Sequence, residues 1–218
     1  MAALTRRHDV GGFAGDVMFY FAVSQLVLLR VFFFKTKMYF EGGLKSWPKG
    51  SFIIISNHQS FWDGIVIVVA IIFRRMHFLA TDFYGNKRKF LKGLVRASGG
   101  ILVTKGDPRR NYLEECARMA TRGRPILIFP EGDFTSADEP GEFFKGYIRI
   151  ALRTGAKIVP VVNDFNYGLF KRVHLMVGKS IDLSRYAGQK MNDQEIKELN
   201  DEIRAKFMTL FHELKRIK

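Results

Sequence analysis

The feature that most constrains the fold is a short apolar run that ends in a turn and is followed at once by a second, longer apolar run. Residues Ser51–Ser56 (SFIIIS) have the length and apolar character of a buried strand. Residues Gly64–Phe73 (GIVIVVAIIF) are long enough for a buried helix. The two runs therefore predict a strand, a tight turn and a helix in immediate succession.

The same alternation of strand and helix candidates continues beyond Phe40. Because apolar residues recur at intervals of three and four through Asn192–Lys218, the last helix is the clearest. The strands are predicted at Phe52–Ser56, Met76–Ala80, Ile101–Thr104, Ile126–Phe129, Ile158–Val162 and His174–Val177. Alternation of this kind indicates an α/β fold, a single domain with a mostly parallel sheet flanked by helices on both faces. At 218 residues the chain is long enough for one such domain and short for two.

The turn between the first two runs, Asn57–Asp63 (NHQSFWD), places a histidine and an aspartate five residues apart. On an ideal helix that step turns the side chains away from each other, so His58 and Asp63 meet only if the chain bends. His58 follows a strand, at the edge where open α/β sheets place their sites. A carboxylate near the helix start can fix the imidazole tautomer and leave the other nitrogen as a general base. The structural alternative makes Asp63 a helix N-cap and His58 a polar strand end.

A second apolar segment, Ile126–Gly132 (ILIFPEG), also runs into a turn that carries an acid, Glu131. Asn57, His58 and Asp63 match the motif Asn-His-four residues-Asp, and Phe129–Gly132 matches Phe-Pro-Glu-Gly. Together and in this order, the two segments resemble the glycerolipid acyltransferase family, whose prototype acylates lysophosphatidic acid.

Two further segments extend the resemblance to about Phe40–Gly178, which is most of the chain. Gly99–Lys105 (GGILVTK) is similar to the family's second motif, in which a strand carries a basic residue toward the acceptor's phosphate. Lys105 stands where the family usually has arginine; lysine also binds phosphate, as a point charge. Ile158–Val161 (IVPV) resembles the fourth motif, a strand and a proline thought to shape the floor of the site.

One departure from the family pattern concerns the residues after Gly132. The family commonly continues with Thr-Arg-Ser, whereas this chain has Asp133, Phe134, Thr135 and Ser136. An arginine credited with binding the glycerol phosphate is thus replaced by Phe134, and Asp133 adds an acid. The expectation of acyl transfer is unaffected, but the identity of the acceptor is open.

The resemblance implies transfer of a fatty acyl group from an acyl thioester, carried by CoA or acyl carrier protein, to the hydroxyl of a lysophospholipid. The expected acceptor resembles 1-acylglycerol-3-phosphate, with His58 as general base for direct attack and Asp63 orienting it. No cofactor beyond this co-substrate is expected. The expected substrate-binding residues are Asn57, Lys105, Glu131, Gly132 and Lys145, with backbone amides near Gly132 as oxyanion donors.

Two other functions remain open at this stage. In the first, Ser60 is an acyl-enzyme nucleophile, but the surrounding residues do not form a nucleophile elbow. A catalytically silent membrane lipid-binding or scaffold protein on the same fold is the alternative from a different class. A binder, however, has no need of an oriented base such as the one that His58 and Asp63 would form.

The chain is strongly basic, with 35 Lys and Arg against 21 Asp and Glu and a formal net charge of +14. An excess of this size fits an anionic partner, either nucleic acid, an anionic membrane surface or a phosphate-rich substrate such as acyl-CoA. The basic clusters Lys87–Lys89 and Arg109–Arg110 contain no recognisable nucleic-acid motif. We therefore expect the anionic partner to be membrane lipids, and we expect no binding to nucleic acid. The sequence carries no signal for an oligomeric state.

An N-terminal segment sharpens the membrane expectation. Val17–Leu29 is uncharged for 13 residues, which is short of the ~20 that a span needs. We expect residues 1–38 to form a membrane-associating helical segment that lies in the interface, on the cytoplasmic face, followed by an acyltransferase domain at 39–218. One alternative is a full span, in which the side chain of Arg30 snorkels and extends the apolar run. The other is a buried helix that packs on the domain.

The single cysteine and the few histidines exclude other classes of site. Cys116 cannot form an internal disulfide or a cysteine-based zinc site, and its helix-like setting in Asn111–Arg122 predicts a core residue. The histidines are His8, His58, His77, His174 and His212. None of them is paired with a second histidine at ligand spacing, so no metal site is expected.

Overall fold

The computed structural model describes residues 16–17, 20–21, 24, 35–43, 47–60, 62–71, 74–81, 95–96, 99–103, 112–168 and 171–217. The strands within these ranges are β1 (Lys35–Phe40), β2 (Phe52–Ser56), β3 (His77–Thr81), β4 (Gly100–Val103), β5 (Ile126–Ile128), β6 (Lys157–Asn163) and β7 (Arg172–Val177). The helices are α1 (Trp62–Ala70), α2 (Tyr112–Thr121), α3 (Gly146–Thr154) and α4 (Asp193–Ile217). Short 3-10 turns lie at Glu41–Gly43 and Ser184–Tyr186.

The strands form one seven-stranded sheet in the order β1-β7-β6-β2-β5-β3-β4. The five strands from β6 to β4 run parallel to their neighbours, whereas β7 is antiparallel to β6, and β1 follows the direction of β7. The predicted α/β class with a mostly parallel sheet is confirmed. The antiparallel pair was not predicted, because a run of apolar residues does not reveal the direction of its neighbour.

Helices cover both faces of the sheet because alternate residues of each strand point to opposite sides. Phe52 and Ile54 of β2 pack with α1 on one face, and Ile53 and Ile55 pack with the layer of α2, α3 and α4 on the other. All of these side chains are fully buried, and burial of each contributes about 1.5–3 kcal/mol. In α4 the predicted apolar stripe is buried at Ile196, Leu199, Ile203, Phe207, Leu210, Phe211 and Leu214.

Two elements differ from the sequence expectations in ways that matter. Helix α1 begins at Trp62 rather than after Asp63, so Asp63 lies in its first turn. Strand β1 was not predicted, because the lysines in KTKMYF break the apolar run; as an edge strand it exposes Lys35 and Lys37. It contains the last four residues of the predicted segment 1–38. The boundary predicted between the membrane-associating segment and the domain, at residue 38, stays a prediction. The first strand of the sheet begins before it, at Lys35.

Much of the predicted membrane segment lies outside the described residues, as do Lys87–Lys89 and Arg109–Arg110. Asp16 is described, and its carboxylate accepts from Arg75, before β3, at 2.7 Å and from Arg124, before β5, at 3.0 Å. These contacts lie at the amino edge of the sheet. No helix among the described ranges has both the length and the apolar character needed to cross a bilayer.

Cys116 lies in α2 and is fully buried in the core. Burial raises the pKa of its thiol to about 12, so the sulfur remains protonated at neutral pH. This confirms the prediction that Cys116 is a core residue rather than a nucleophile.

Candidate active site

Three of the four predicted motifs, all except Gly99–Lys105, meet at the carboxyl edge of the sheet. Strand β2 lies between β5 and β6 and runs parallel to both, so the three chain segments that leave these strands emerge side by side. His58 follows β2, Glu131 follows β5, and Asn163 ends β6. This is the edge at which open α/β folds place ligands.

The chain bends between β2 and α1 so that His58 and Asp63 meet. The imidazole Nδ1 lies 3.0 Å from Asp63 Oδ2, and Asp63 is fully buried. The same Oδ2 accepts the backbone N–H groups of Gln59 and Ser60, each at 2.7 Å. Asp63 therefore holds the imidazole and also satisfies two backbone amides of the turn before α1. It is not the N-cap of the sequence-based alternative, because it lies within the first turn of the helix. With Nδ1–H donated to the carboxylate, the lone pair lies on Nε2, and no described residue hydrogen-bonds to Nε2.

Two aromatic rings contact the imidazole of His58. Phe129, just after β5, stacks on it with ring centroids 3.8 Å apart and an angle of 9°. Phe134, the residue at the departure from the family pattern, lies tilted against it with centroids 4.4 Å apart. The ring of Phe134 is itself 59% exposed. An apolar wall beside the imidazole results, where the family pattern would place a guanidinium.

Glu131 holds the backbone of His58. Its Oε1 accepts the His58 N–H at 3.0 Å, and its Oε2 accepts the Gly141 N–H at 2.9 Å. Burial raises the pKa of the Glu131 carboxyl, against these hydrogen bonds, which favour its charged form. The sequence predicted that Glu131 binds substrate. In the structure its two oxygens bind backbone amides, and this clamp fastens His58 to the loop that carries Phe134.

Gly132 makes the turn after β5 possible. Its φ of 76° lies in the left-handed region, and a Cβ there would lie 2.8 Å from a ring carbon of Phe144. Its N–H donates to the carbonyl of Phe129 at 3.1 Å. The amide predicted as an oxyanion donor is therefore engaged in closing the turn.

Asn57 was predicted to bind substrate, but it is fully buried and its amide is bound by Asn163. Its Nδ2 donates to the Asn163 carbonyl at 2.9 Å, and its Oδ1 accepts the Asn163 N–H at 2.9 Å. These bonds extend the pairing of β2 with β6 by one residue. Asn57 is thus a structural link between the two strand ends.

The remaining predicted residues are not gathered at His58. Lys145 directly precedes α3, and its Nζ lies 3.5 Å from the carbonyl of Asp193. Lys105 lies outside the described residues. Ser60, the alternative nucleophile, accepts the Trp62 N–H at its Oγ, at 3.2 Å, and no described base is bonded to that oxygen.

Two functional candidates were missed by sequence reasoning, Asn163 and Tyr167. Asp63 Oδ1 accepts Asn163 Nδ2 at 3.3 Å and also the hydroxyl of Tyr167. The position of Asn163, at the end of the strand beside β2, was the signal that could have found it. Tyr167 lies in an irregular loop and carried no such signal.

The described residues include no group of three His, Cys, Asp or Glu side chains that could hold a metal ion. The polar groups at the edge instead bind one another and the backbone. The arrangement is suited to proton transfer at His58 Nε2 beside an apolar surface.

Comparison with known sequences agrees with the motifs. Residues 37–164 match the pattern of the family described as Acyltransferase, which is more than half of the chain. The chain belongs to the Acyltransferase family. The matched region begins within β1 and ends just after β6, so it contains His58, Asp63, Glu131 and Asn163.

Individual relatives carry more specific names. A 1-acyl-sn-glycerol-3-phosphate acyltransferase of Chlamydomonas reinhardtii is 26% identical over 121 residues, 52% of this chain and 34% of the relative. Lysophosphatidylcholine acyltransferase 2 of Mus musculus is 30% identical over 116 residues, 49% of this chain and 21% of the relative. The chain thus spans about a third or less of the length of these two relatives.

A solved structure shares the fold of this member of the Acyltransferase family. It is the 1-acyl-sn-glycerophosphate (LPA) acyltransferase PlsC from Thermotoga maritima, with a TM-score of 0.63 and 20% sequence identity. The superposition covers 92% of this chain and 79% of that chain. The likeness therefore extends well beyond the segments that carry the motifs.

Proposed function

We propose that the protein transfers a fatty acyl group from an acyl thioester, acyl-CoA or acyl carrier protein, to the hydroxyl of a lysophospholipid. The observation that carries this proposal is the contact between His58 Nδ1 and Asp63 Oδ2, 3.0 Å long, at the carboxyl edge of an Acyltransferase-family sheet. An oriented imidazole whose second nitrogen is free of described partners is what proton abstraction from a hydroxyl needs.

The reaction proceeds by direct attack. His58 Nε2 takes the proton of the acceptor hydroxyl while the oxygen attacks the carbonyl carbon of the thioester. As the tetrahedral intermediate collapses, the carbon–sulfur bond breaks and the imidazolium returns its proton to the leaving thiolate. Asp63 keeps Nδ1 protonated and stabilises the imidazolium formed between the two steps.

Apolar side chains near His58 provide a surface for acyl chains. Trp62 is 43% exposed beside Asp63, Phe134 is 59% exposed against the imidazole, and Phe144 is 70% exposed against Gly132. Exposed aromatic rings grouped around one site offer a surface that lipid chains can contact. Lys105 and Lys145 remain proposed contacts for the acceptor's phosphate.

We also propose that the protein binds membranes from the cytoplasmic side through its N-terminal segment and its positive charge. The test is deletion of residues 1–34, which leaves β1 intact because that strand begins at Lys35. Binding to anionic vesicles should fall sharply, and salt should weaken what remains. Asp16→Ala is the matched control, since it removes the contacts with Arg75 and Arg124 and keeps the apolar segment. Undiminished binding by the truncated protein would refute the proposal.

The experiment for the enzymatic function is incubation with labelled acyl-CoA, or acyl carrier protein, and a panel of lysolipids. Formation of a diacyl product from at least one acceptor is expected. The competing function is a silent lipid binder, which would bind vesicles and lysolipids without forming any product. Failure with all donors and acceptors, in a folded and membrane-bound preparation, would favour that alternative.

A further inference from the structure

The Asp63 carboxylate has a second side that the His58 contact does not use. Oδ2 faces the imidazole and the amides of Gln59 and Ser60, whereas Oδ1 accepts from Asn163 Nδ2 at 3.3 Å and from the Tyr167 hydroxyl. Because Asp63 is fully buried, these donors replace the water that would otherwise solvate it. Asn163 ends β6, and Tyr167 lies in the segment that follows it.

The orientation of Asn163 is determined by its neighbours. Asn57 binds both backbone groups of Asn163, each at 2.9 Å, which fixes its main chain at the end of β6. Its Oδ1 accepts the N–H of Phe165 at 3.0 Å, so Nδ2 must face Asp63 and Tyr167. A flipped amide would place an oxygen against a carboxylate, which this network excludes.

The backbone after Asn163 makes an unusual turn that returns Tyr167 to Asp63. Phe165 has a φ of 56°, and the N–H of Tyr167 donates to the carbonyl of Phe165 at 2.8 Å. Positive φ is unfavourable for a bulky residue and is most often tolerated where the surrounding contacts require it. The turn brings the phenol of Tyr167 to the carboxylate of Asp63, which is 104 residues away in sequence.

The phenol remains a donor throughout the working pH range. Burial raises the pKa of Tyr167 far above its usual value, and the neighbouring Asp63 carboxylate raises it further. A permanent donor on Oδ1 prevents rotation of the carboxylate about its Cβ–Cγ bond. It also withdraws negative charge from Oδ2, the oxygen that binds the imidazole.

We propose that Tyr167, held in place by Asn163, is a positioning residue that keeps Asp63 aligned with His58 and moderates its charge. The role rests on the proposed function, in which His58 is the base. Tyr167 is not part of the family motifs on this chain, because it lies beyond the matched region, which ends at residue 164.

The test is Tyr167→Phe, which keeps the ring and removes only the hydroxyl. Tyr147→Phe is the matched control, because the Tyr147 hydroxyl is also buried and donates to Asn200 Oδ1 at 2.9 Å, between α3 and α4. We expect Tyr167→Phe to lower kcat by about 10-fold with KM unchanged. The acid limb of the pH profile should move to higher pH, since a carboxylate with one donor fewer binds the imidazolium more strongly. Glu131, the other acid bound to His58, is present in both variants.

A second readout does not depend on acyl transfer. The titration of His58 is followed by NMR of the imidazole, assigned by its loss in His58→Ala, in the full chain and in both tyrosine variants. The pH midpoint of this titration should be higher in Tyr167→Phe than in wild type. In Tyr147→Phe it should equal the wild-type midpoint. An unchanged midpoint in Tyr167→Phe would overturn the inference, as would a loss of kcat no larger than that of Tyr147→Phe. Absence of activity in the wild-type protein would instead refute the proposed function, while the midpoints still decide the role of Tyr167.

Discussion

The described part of the molecule contains two His–Asp pairs at the same edge of the sheet, and different parts of the chain support them. His58 Nδ1 lies 3.0 Å from Asp63 Oδ2, and His174 Nδ1 lies 2.7 Å from Asp164 Oδ2. The imidazoles are 17% and 19% exposed. Judged by contact distance and exposure alone, the two pairs are equivalent.

They differ in which parts of the chain support them. Asp164 binds both the ring and the backbone N–H of His174, the latter at 3.0 Å, and it also accepts the N–H of Asn166 at 3.0 Å. These are local contacts that close the connection between β6 and β7. In the other pair the tasks are divided: Asp63 binds the ring of His58, and Glu131 binds its backbone from beyond β5.

The comparison teaches that convergence of distant segments marks the site better than the His–Asp contact itself. His58 is held by groups from α1 and the segment after β5, and Asp63 by groups from the end of β6 and the segment after it. Such an arrangement is costly to order and is retained where the position of a group is decisive. His174, in contrast, is accounted for by the stability of one turn.

The strongest test of this comparison replaces each histidine in turn. His58→Ala should lower kcat by about 10²–10⁴-fold, because a general base contributes that much and the neighbouring carboxylates of Asp63 and Glu131 are engaged by other hydrogen bonds. His174→Ala should leave kcat within about 3-fold and lower the free energy of unfolding by ~1 kcal/mol, through loss of the hydrogen bond to Asp164. Both are measured by transfer of labelled acyl groups and by urea denaturation. Wild-type turnover in a folded His58→Ala protein would contradict the mechanism.

Replacing the acids should give the next largest effect. Asp63→Asn permits the imidazole tautomer with the proton on Nε2, so kcat should fall by about 10²-fold or more. Asp164→Asn leaves His58 and its contact with Asp63 unchanged. It should therefore lower the free energy of unfolding without changing kcat. Rates and denaturation midpoints of the two variants, measured side by side, separate the roles. Equal losses of kcat in both would show that the two pairs are not distinct in function.

His58, Asp63 and the strand and helix that flank them could be predicted from sequence, because the signals for them are local. An apolar strand, a turn with His58 and Asp63, and an apolar helix follow one another within about 20 residues. The order of the motifs then placed Glu131 and the end of β6 at the same edge. Asn163 and Tyr167 escaped because they reach Asp63 across sequence distances of 100 and 104 residues. No periodicity or spacing rule connects residues so far apart.

The roles of Glu131 and Asn57 could not be inferred for a different reason. Sequence reasoning treats a polar residue in a motif as a ligand for substrate, but the backbone also needs partners where parallel strands end and amides leave the sheet. Asn57 binds Asn163, and Glu131 binds His58 and Gly141. Their contribution is rigidity, which only the folded geometry reveals.

A smaller effect is expected at Phe134, whose substitution tests acceptor recognition rather than the His58–Asp63 contact. Phe134 lies against His58 with ring centroids 4.4 Å apart, and Asp133 precedes it. We expect a lower preference for lysophosphatidic acid, relative to zwitterionic or amine-bearing lysolipids, than an arginine would give. Phe134→Arg should raise the ratio of kcat/KM for lysophosphatidic acid to that for the other lysolipids by about 10-fold. A strong wild-type preference for lysophosphatidic acid, unchanged by the substitution, would disprove this role.

The smallest expected effect concerns the backbone support that distinguishes His58 from His174. Burial raises the pKa of Glu131 above its ordinary value of 4.5, so the folded state binds a proton that the unfolded state releases. Its contribution to stability is therefore largest at low pH and is lost as pH rises from the unfolded pKa through the raised folded one. Glu131→Gln removes this titration and weakens one backbone bond, at a cost of about 1–2 kcal/mol.

The difference in free energy of unfolding between wild type and Glu131→Gln should consequently shrink as pH increases from about 4 to 7. Urea denaturation of both proteins across that pH range measures this difference. Asp16 and Glu202 make stability depend on pH in the opposite sense, because their basic partners lower their pKa values despite partial desolvation. Both residues are present in both proteins, so their contributions cancel in the difference. An advantage of wild type that grows with pH would mean that the two amide bonds to Glu131 outweigh its burial. The clamp on His58 would then be strongest in its ionised form, and the ratio of wild-type kcat to that of the variant should rise over the same interval.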